Sequence, residues 1–289
     1  MKKVLAVAIV FICVTVVFMA TNEQQQGLKV FISVDMEGLS GVVKSSELGA
    51  GGADYGHFRE IMAKETNAAI EGAINAGATE IVVRDSHGSG RNILPGYLHE
   101  KAKLLRDWSG GPKGMMEGID ETFDAAIFIG YHAKANTPDA VIDHTMSGNV
   151  ADISINGISM PEAGINALIA GVYDVPMVFA SGDRALCEQA KELFGEIELF
   201  STKDGIGDAA ELGLHPSVSC EHIRKGVEKA LKNLDKYKPY KLQAPFTMNL
   251  KVRREKDEVF PGAAKVREGE FTFTSDDIML VIEAFSKLR

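Results

Sequence analysis

Short runs of β-branched and aromatic residues alternate along this chain with stretches whose apolar residues recur every three or four positions. That alternation restricts the possible folds more than any other feature. Lys29 to Val34 is the first strand-like run. From His57 to Ala76, Phe58, Ile61, Met62, Ala69, Ile70 and Ile74 mark one face of a helix that stops at Asn75-Ala76-Gly77. Further strand-like runs follow at Glu80–Arg84, Asp124–Gly130 and Val175–Ala180, the last after a helical stretch from Glu162 to Tyr173. Strands that alternate with helices need crossover connections, so the pattern predicts an α/β fold. We expect a three-layer, mostly parallel sheet with helices on both faces.

Two segments depart from the pattern. Asp152-Ile153-Ser154-Ile155 alternates polar and apolar residues and leads into Asn156-Gly157, the dipeptide preferred in tight hairpin turns. This predicts a short antiparallel ribbon interrupting the sheet. The last third reads as a smaller α+β domain. It has an amphipathic basic helix from His222 to Asn233, a linker over Lys236–Lys241 and a strand over Phe246–Val252. A helix or turn then ends at Pro261-Gly262, followed by a strand over Glu270–Thr274. Ser275-Asp276-Asp277 is placed to cap a final helix, Ile278 to Leu288. The expected division is 28–210 for the α/β domain and 211–289 for the smaller one.

The N-terminus has a different character. Lys2 and Lys3 precede an apolar run from Val4 to Ala20, and polar Thr21 to Gln26 follow. A basic start, an apolar stretch and a polar exit are the parts of an export signal. Phe18 occupies a position where a cleavage site ending at Ala20 would favour a small residue. The run is also only roughly 17 residues long, the lower limit for spanning a bilayer. Residues 1–27 are therefore read as a signal peptide, or an uncleaved N-terminal anchor, plus linker. The expected location is outside the cytoplasm, periplasmic or extracellular, with membrane contact only through this segment.

Bulk properties exclude some partners. The 289 residues carry a formal net charge of −9, and removing the leader with its two lysines leaves −11. Such a surface repels phosphate backbones, so no nucleic-acid partner is expected. With 45% hydrophobic and 25% charged residues, the chain is neither disordered nor a multispan membrane protein. Beyond Cys13 in the leader there remain Cys187 and Cys220, too few for a disulfide framework and not spaced as metal ligands. Both are expected as free thiols.

The chemistry concentrates where strands end. The first strand runs into Asp35-Met36-Glu37-Gly38, the second into Asp85-Ser86-His87 and the third into Gly130-Tyr131-His132. Asp35 and Glu37 are two residues apart and project the same way from extended backbone. In open α/β sheets, ligands bind beyond the carboxyl ends of the strands. Two carboxylates and two imidazoles converging there make a metal site suited to zinc. His57, His99, His215 and His222 lie on helices or loops away from the strand ends and are read as structural.

These motifs form an ordered set. Ser33-Val34-Asp35-Met36-Glu37-Gly38-Leu39-Ser40-Gly41 resembles the S-x-D-x-E-G opening of the bacterial zinc D-aminopeptidases, also labelled dipeptide transport proteins. Asp85-Ser86-His87, Gly130-Tyr131-His132-Ala133, Asn136-Thr137-Pro138, His144 and Glu162-Ala163-Gly164-Ile165-Asn166-Ala167 follow in the family's order. So do Tyr173-Asp174-Val175-Pro176, Ser181-Gly182-Asp183, Lys203 and Phe260-Pro261-Gly262. The resemblance runs from about Leu28 to the C-terminus. It implies two zinc ions per subunit, with Asp35 bridging, Glu37 and His87 completing one shell, and His132 and Glu162 the other. Spacing alone would have left Glu162 as a favourable acid at a helix N-terminus.

The resemblance also implies that His144 is catalytic, and its chemistry suits a base or proton shuttle better than a nucleophile. It implies hydrolysis of short peptides with an N-terminal, D-configured residue, and homo-oligomers. Two alternatives remain at this level. One is a dimetal hydrolase acting on another amide or a phosphate ester, the latter disfavoured by the lack of a basic clamp near the motifs. The other is a non-catalytic peptide-binding component of a transporter. The glycine-rich segment Ser45–Gly56 is expected to shape the substrate entrance.

Overall fold

The computed structural model describes residues 27–207 and 210–289; the leader lies outside the described residues. The first half contains β1 (Leu28–Val34), α1 (Tyr55–Asn75), β2 (Ala78–Asp85), β3 (Ala102–Leu105), β4 (Ala125–Tyr131), β5 (Val150–Ile155) and β6 (Ile158–Ser159). There follow α2 (Glu162–Val172), β7 (Met177–Asp183), α3 (Arg184–Phe194), β8 (Glu198–Ile206), β9 (Ala210–Gly213) and α4 (Pro216–Leu231). The chain closes with β10 (Phe246–Val252), β11 (Ala264–Arg267), β12 (Glu270–Ser275) and α5 (Ile278–Leu288). No helix among the described residues is long and apolar enough to cross a membrane.

The main sheet has the order β3-β2-β1-β4-β7-β8-β9, parallel throughout except for β9 at the edge. The chain winds outward from β1 in both directions, which places a crevice between the carboxyl ends of β1 and β4. Alternation along β1 explains the layers. Val30, Ile32 and Val34 pack beneath α1 and α4, while Phe31 turns to the other face, where α2 and α3 lie. The expected α/β architecture, with helices on both faces, is the one observed.

The antiparallel ribbon does not interrupt this sheet. Asn156 and Gly157 make the turn with φ of 53° and 81°, and β5 and β6 leave to join a second, antiparallel sheet of order β11-β12-β10-β5-β6. Alternation put one apolar face on β5, and β10, distant in sequence, covers its edge: Met248 pairs with Ile155 and Leu250 with Ile153. α5 packs on this sheet, its N-terminus capped by Asp277 accepting from the Met279 amide.

A division at 210/211 therefore does not follow the sheets. It cuts the β8–β9 hairpin, and α4 beyond it covers the main sheet beside α1. The second layer is assembled instead from 150–159 and 246–288. Its C-terminal part runs strand, strand, strand, helix, because the segment after Pro261-Gly262 continues as β11 where a strand–helix–strand order was expected. Cys187 and Cys220 are free, as their number suggested.

The strand ends are pressed together at one point. Gly38 N donates to Gly130 O at 2.8 Å, and a Cβ on Gly38 would lie 1.8 Å from the carbonyl oxygen of Tyr131. Gly130 has φ of 69°, and a Cβ there would sit 2.3 Å from Asp35 O. Two residues without side chains thus let the Asp35–Glu37 turn rest against the strand that carries His132. From the far side, buried Lys203 on β8 donates to the carbonyls of Glu37 (2.6 Å), Leu39 (3.0 Å) and Val42.

Gly38→Ala is expected to lower unfolding free energy by about 3 kcal/mol, the upper end of overpacking costs, and to reduce metal content. Gly49→Ala, with open space around the added carbon, should be close to neutral. Chemical denaturation of the two variants side by side checks this.

Candidate metal centre

All five sequence-predicted ligands and His144 meet in one place. β1 delivers Asp35 and Glu37, the turn after β2 delivers His87, and the residue after β4 is His132. Glu162 is the first residue of α2, and its carboxylate lies at the positive end of that helix. Asp35, Glu37, His132 and Glu162 are buried, His87 nearly so, and His144 is half-buried. Beneath them Ser33 Oγ meets Ser86 Oγ at 2.8 Å and Tyr131 Oη at 2.6 Å, and Asn166 of α2 donates to that hydroxyl at 3.0 Å. This small network fixes the ends of β1, β2 and β4 relative to α2.

Each histidine uses one ring nitrogen on a backbone carbonyl and turns the other toward the carboxylates. His87 Nε2–H donates to Leu48 O at 3.1 Å, leaving Nδ1 at 2.9 Å from Asp35 Oδ1 and 3.0 Å from Glu37 Oε2. His132 Nδ1–H donates to Ala133 O at 2.9 Å, with Nε2 3.6 Å from Asp35 Oδ2 and 3.4 Å from Glu162 Oε1. His144 Nδ1–H donates to Ile142 O at 3.0 Å, and its Nε2 lies 3.5 Å from Glu162 Oε1 and 4.0 Å from Glu37 Oε1. The His132 and His144 rings stack, 4.2 Å between centroids and 15° apart. Fixing one ring nitrogen on a carbonyl sets the tautomer and aims the other lone pair, as metal-bound histidines do.

These side chains form two triads, Asp35–Glu37–His87 and Asp35–His132–Glu162, each with its ligand atoms within 4.8 Å of one another. Asp35 belongs to both, one oxygen to each side. A third grouping, Glu37–His132–His144, lies between them. Ligand atoms about 2.0–2.1 Å from a tetrahedral zinc ion stand roughly 3.3 Å apart, close to the separations here. His132 Nε2 is buried without a hydrogen-bond partner. A lone pair aimed at carboxylate oxygens is repulsive unless a cation or proton lies between, so the residues present fit a metal ion.

Charge in the metal-free chain tells the same story. Burial above all, then the charge of Glu37, drives the Asp35 carboxyl well above the usual range. Burial works against the Glu37 carboxylate too, but His87 and the other imidazoles hold it well below its ordinary value. Burial opposes charging of His87 and His132. The charges of Glu37 and Glu162 respectively, with Asp35, outweigh it and raise both imidazoles well above 6.5. Glu162, disfavoured by burial, is drawn below its ordinary value by His132. Without metal the cluster takes up protons.

The loop carrying His144 is strained. Ile142 has φ of 57° and Met146 φ of 60°, left-handed values on either side of the imidazole, and Ile142 is β-branched. Ile142 supplies the carbonyl that orients His144, and the Met146 amide donates to Glu162 Oε1 at 2.6 Å. Such conformations cost about 1–3 kcal/mol each and collect at functional sites.

The cluster forms the floor of a cleft of about 520 Å³. Its wall is made by Trp108 to Gly111 and by Gly114, Met115 and Glu117, with Arg289 and Ser286 of the C-terminal helix region on another side. Ser45–Gly56 does not line it, contrary to expectation: that segment contributes the Leu48 carbonyl that holds His87. The Trp108 indole donates to Gly88 O at 2.9 Å and lies against the buried Arg84 guanidinium, 4.3 Å away. Trp108, Glu117 and Arg289 were not singled out from sequence. A sole tryptophan followed by Ser-Gly-Gly-Pro was a usable sign for the first; the other two had none. The four histidines read as structural lie outside the cluster, with His215 capping α4 and His222 stacked on Phe200.

The D-aminopeptidase family of peptidases (M55) matches this chain over residues 28–287. The chain belongs to that family. A D-aminopeptidase of Bacillus subtilis (strain 168) is 38% identical over 214 residues, 73% of this chain and 77% of the relative. The solved Zn-dependent D-aminopeptidase DppA of Bacillus subtilis, described as a self-compartmentalizing protease, superposes with a TM-score of 0.84. It is 32% identical over 90% of this chain and 96% of its own. Membership makes the chain a hydrolase of the D-aminopeptidase type and removes the reading as a non-catalytic transporter component.

Metal ligands must be deprotonated, so zinc entering the stripped protein expels the protons that the raised imidazoles hold. Affinity should rise with pH across neutrality, with about one proton or more released per subunit at pH 7. Calorimetric titration in buffers of different ionisation enthalpy measures the release; buffer-independent heats would contradict the arrangement.

Proposed function

We propose that the protein removes an N-terminal D-amino acid from short peptides at a dinuclear zinc site. Asp35 would be shared by the two ions, with Glu37 and His87 holding one and His132 and Glu162 the other. The observation that carries this reading is the pair of triads sharing Asp35, with one carboxylate oxygen directed to each histidine. Zinc, when bound, lowers the pKa of coordinated water from about 15.7 to about 7 and polarises the scissile carbonyl.

The chain's own groups do the rest. His144, with Nδ1–H tied to Ile142 O, presents Nε2 to the cleft. It takes the proton released on attack and delivers it to the leaving amine, because a peptide nitrogen must be protonated to depart. The stacked His132 ring and the strained Ile142–Met146 segment hold that imidazole in position. Trp108 and the glycine-rich run beside it cover one side of the cleft and limit water around the reacting groups.

The basic and apolar leader supports export to the periplasm or exterior. Self-association is supported by the description of DppA as self-compartmentalizing. The second sheet is a candidate contact surface, with Val259 and Val266 of its β10–β11 connection and edge 88% and 63% exposed.

Asp35→Ala or His132→Ala should lose metal and peptidase activity together, by a factor of about 100 or more. His144→Ala should keep its metal while turnover falls by about 10²–10⁴. Elemental analysis and hydrolysis of D- against L-alanyl dipeptides test both. Loss of metal from the His144 variant would make that residue a ligand, and full activity in either of the first two would remove the site.

A further inference from the structure

One cation in the cleft has no partner. Arg289 lines the cleft that contains Asp35, Glu37, His144 and Glu162. Its Nη1–H donates to Met146 O at 2.6 Å, and its guanidinium rests near the Phe285 ring, 5.8 Å from the centroid. Among the described residues no carboxylate lies within 4.0 Å of it, and Glu162 is the acid whose charge reaches it. A guanidinium offers five N–H donors in a planar fork matched to a carboxylate. Here one of the five is used.

Its distance from the metal ligands is set by a single residue. The Met146 amide donates to Glu162 Oε1 at 2.6 Å, and the carbonyl of the same Met146 accepts from Arg289 at 2.6 Å. The fork therefore lies beyond ion-pair contact with the Glu162 carboxylate and is joined to it through two hydrogen bonds and the backbone of one residue. In a dipeptide the α-carboxylate stands one residue beyond the scissile bond, a span of about 3.3–3.6 Å. The left-handed backbone of Met146 fixes this offset. Outside the imidazoles of the metal cluster the cleft is lined by acidic or neutral groups, with Glu117 on its wall, so Arg289 is the group away from that cluster suited to an anion.

We propose that Arg289 binds the C-terminal carboxylate of the substrate and so restricts this enzyme to very short peptides, dipeptides first. The proposal rests on the peptidase reading above and adds the substrate's length and its free C-terminus. A longer chain would place a neutral amide against the fork.

The test uses the full-length, zinc-loaded protein and two ligands: a D-alanyl-D-alanine analogue with a methylene-amine link in place of the scissile amide, as free acid and as C-terminal carboxamide. Calorimetric affinities are measured for the native protein, Arg289→Gln and Arg289→Lys. Hydrolysis of the ordinary dipeptide acid and its amide is measured in parallel. A hydrogen-bonded pair of charges is worth roughly ten- to a hundredfold. The native protein should prefer the acid by that factor, Arg289→Gln should bind acid and amide alike, and Arg289→Lys should keep part of the preference. General damage to the loop would weaken both ligands together and leave their ratio intact. An unchanged acid-to-amide ratio in Arg289→Gln, or no preference in the native protein, would overturn the proposal. Failure to hydrolyse either peptide while the acid preference persists would instead remove the peptidase reading and leave the carboxylate site standing.

Discussion

Three carboxylates, Asp35, Glu37 and Glu162, are buried around one small volume, and their mutual repulsion is the constraint to which the rest of the molecule answers. Two like charges 4 Å apart repel by about 4 kcal/mol at an effective dielectric of 20. No hydrogen bond from a neutral histidine offsets three such pairs. A fold with this arrangement either protonates it or fills it with cations, and the geometry favours cations. All three imidazoles turn toward the acids the ring nitrogen that a metal would take, and without metal those of His87 and His132 hold a proton there. The tautomers are imposed by the carbonyls of Leu48, Ala133 and Ile142. Backbone therefore sets the chemistry of the side chains.

Holding such a cluster requires a rigid frame, which comes from residues beside the ligands and from Lys203 and α2 farther along the chain. The main sheet brings the ends of β2, β1 and β4 side by side, and the glycine contact between Gly38 and Gly130 closes the gap between them. Lys203 reaches across from β8 to gather three carbonyls of the turn that carries Glu37. Hydroxyls of Ser33, Ser86 and Tyr131 tie the same strands to α2. The segment Ile142 to Met146, with a left-handed residue at each end, is the one that positions His144. Rigid elements thus hold the candidate metal ligands, and a tense loop holds the imidazole proposed to carry protons.

Much of this was legible in the sequence because it is local. A strand followed directly by Asp-x-Glu, or by a histidine, shows its ligands in a few residues, and parallel topology does the rest. Glu162 was visible only through the resemblance, since an acid at the first position of a helix is ordinary and only the folded sheet reveals what it faces. The hairpin at Asn156-Gly157 was readable, but not its destination. Its partner β10 begins near residue 246, and nothing in the hairpin's own residues names that strand. The placement of α4 over the main sheet failed for the same reason: its apolar face fits either layer. Ser45–Gly56 looked like an entrance because of its glycines, whereas its contribution is one backbone carbonyl, which no residue type announces.

Asp35 shows what this economy entails. Its two oxygens point in different directions, one toward His87 and the other toward His132, so a single side chain joins the two halves of the centre. Replacement by asparagine would leave one half facing an amide NH2 group, and glutamate would push the carboxylate past both. Glu37 and His132 also meet in the grouping with His144, but Asp35 is the residue that the His87 and Glu162 triads share. At this position the alphabet of amino acids holds a single workable letter.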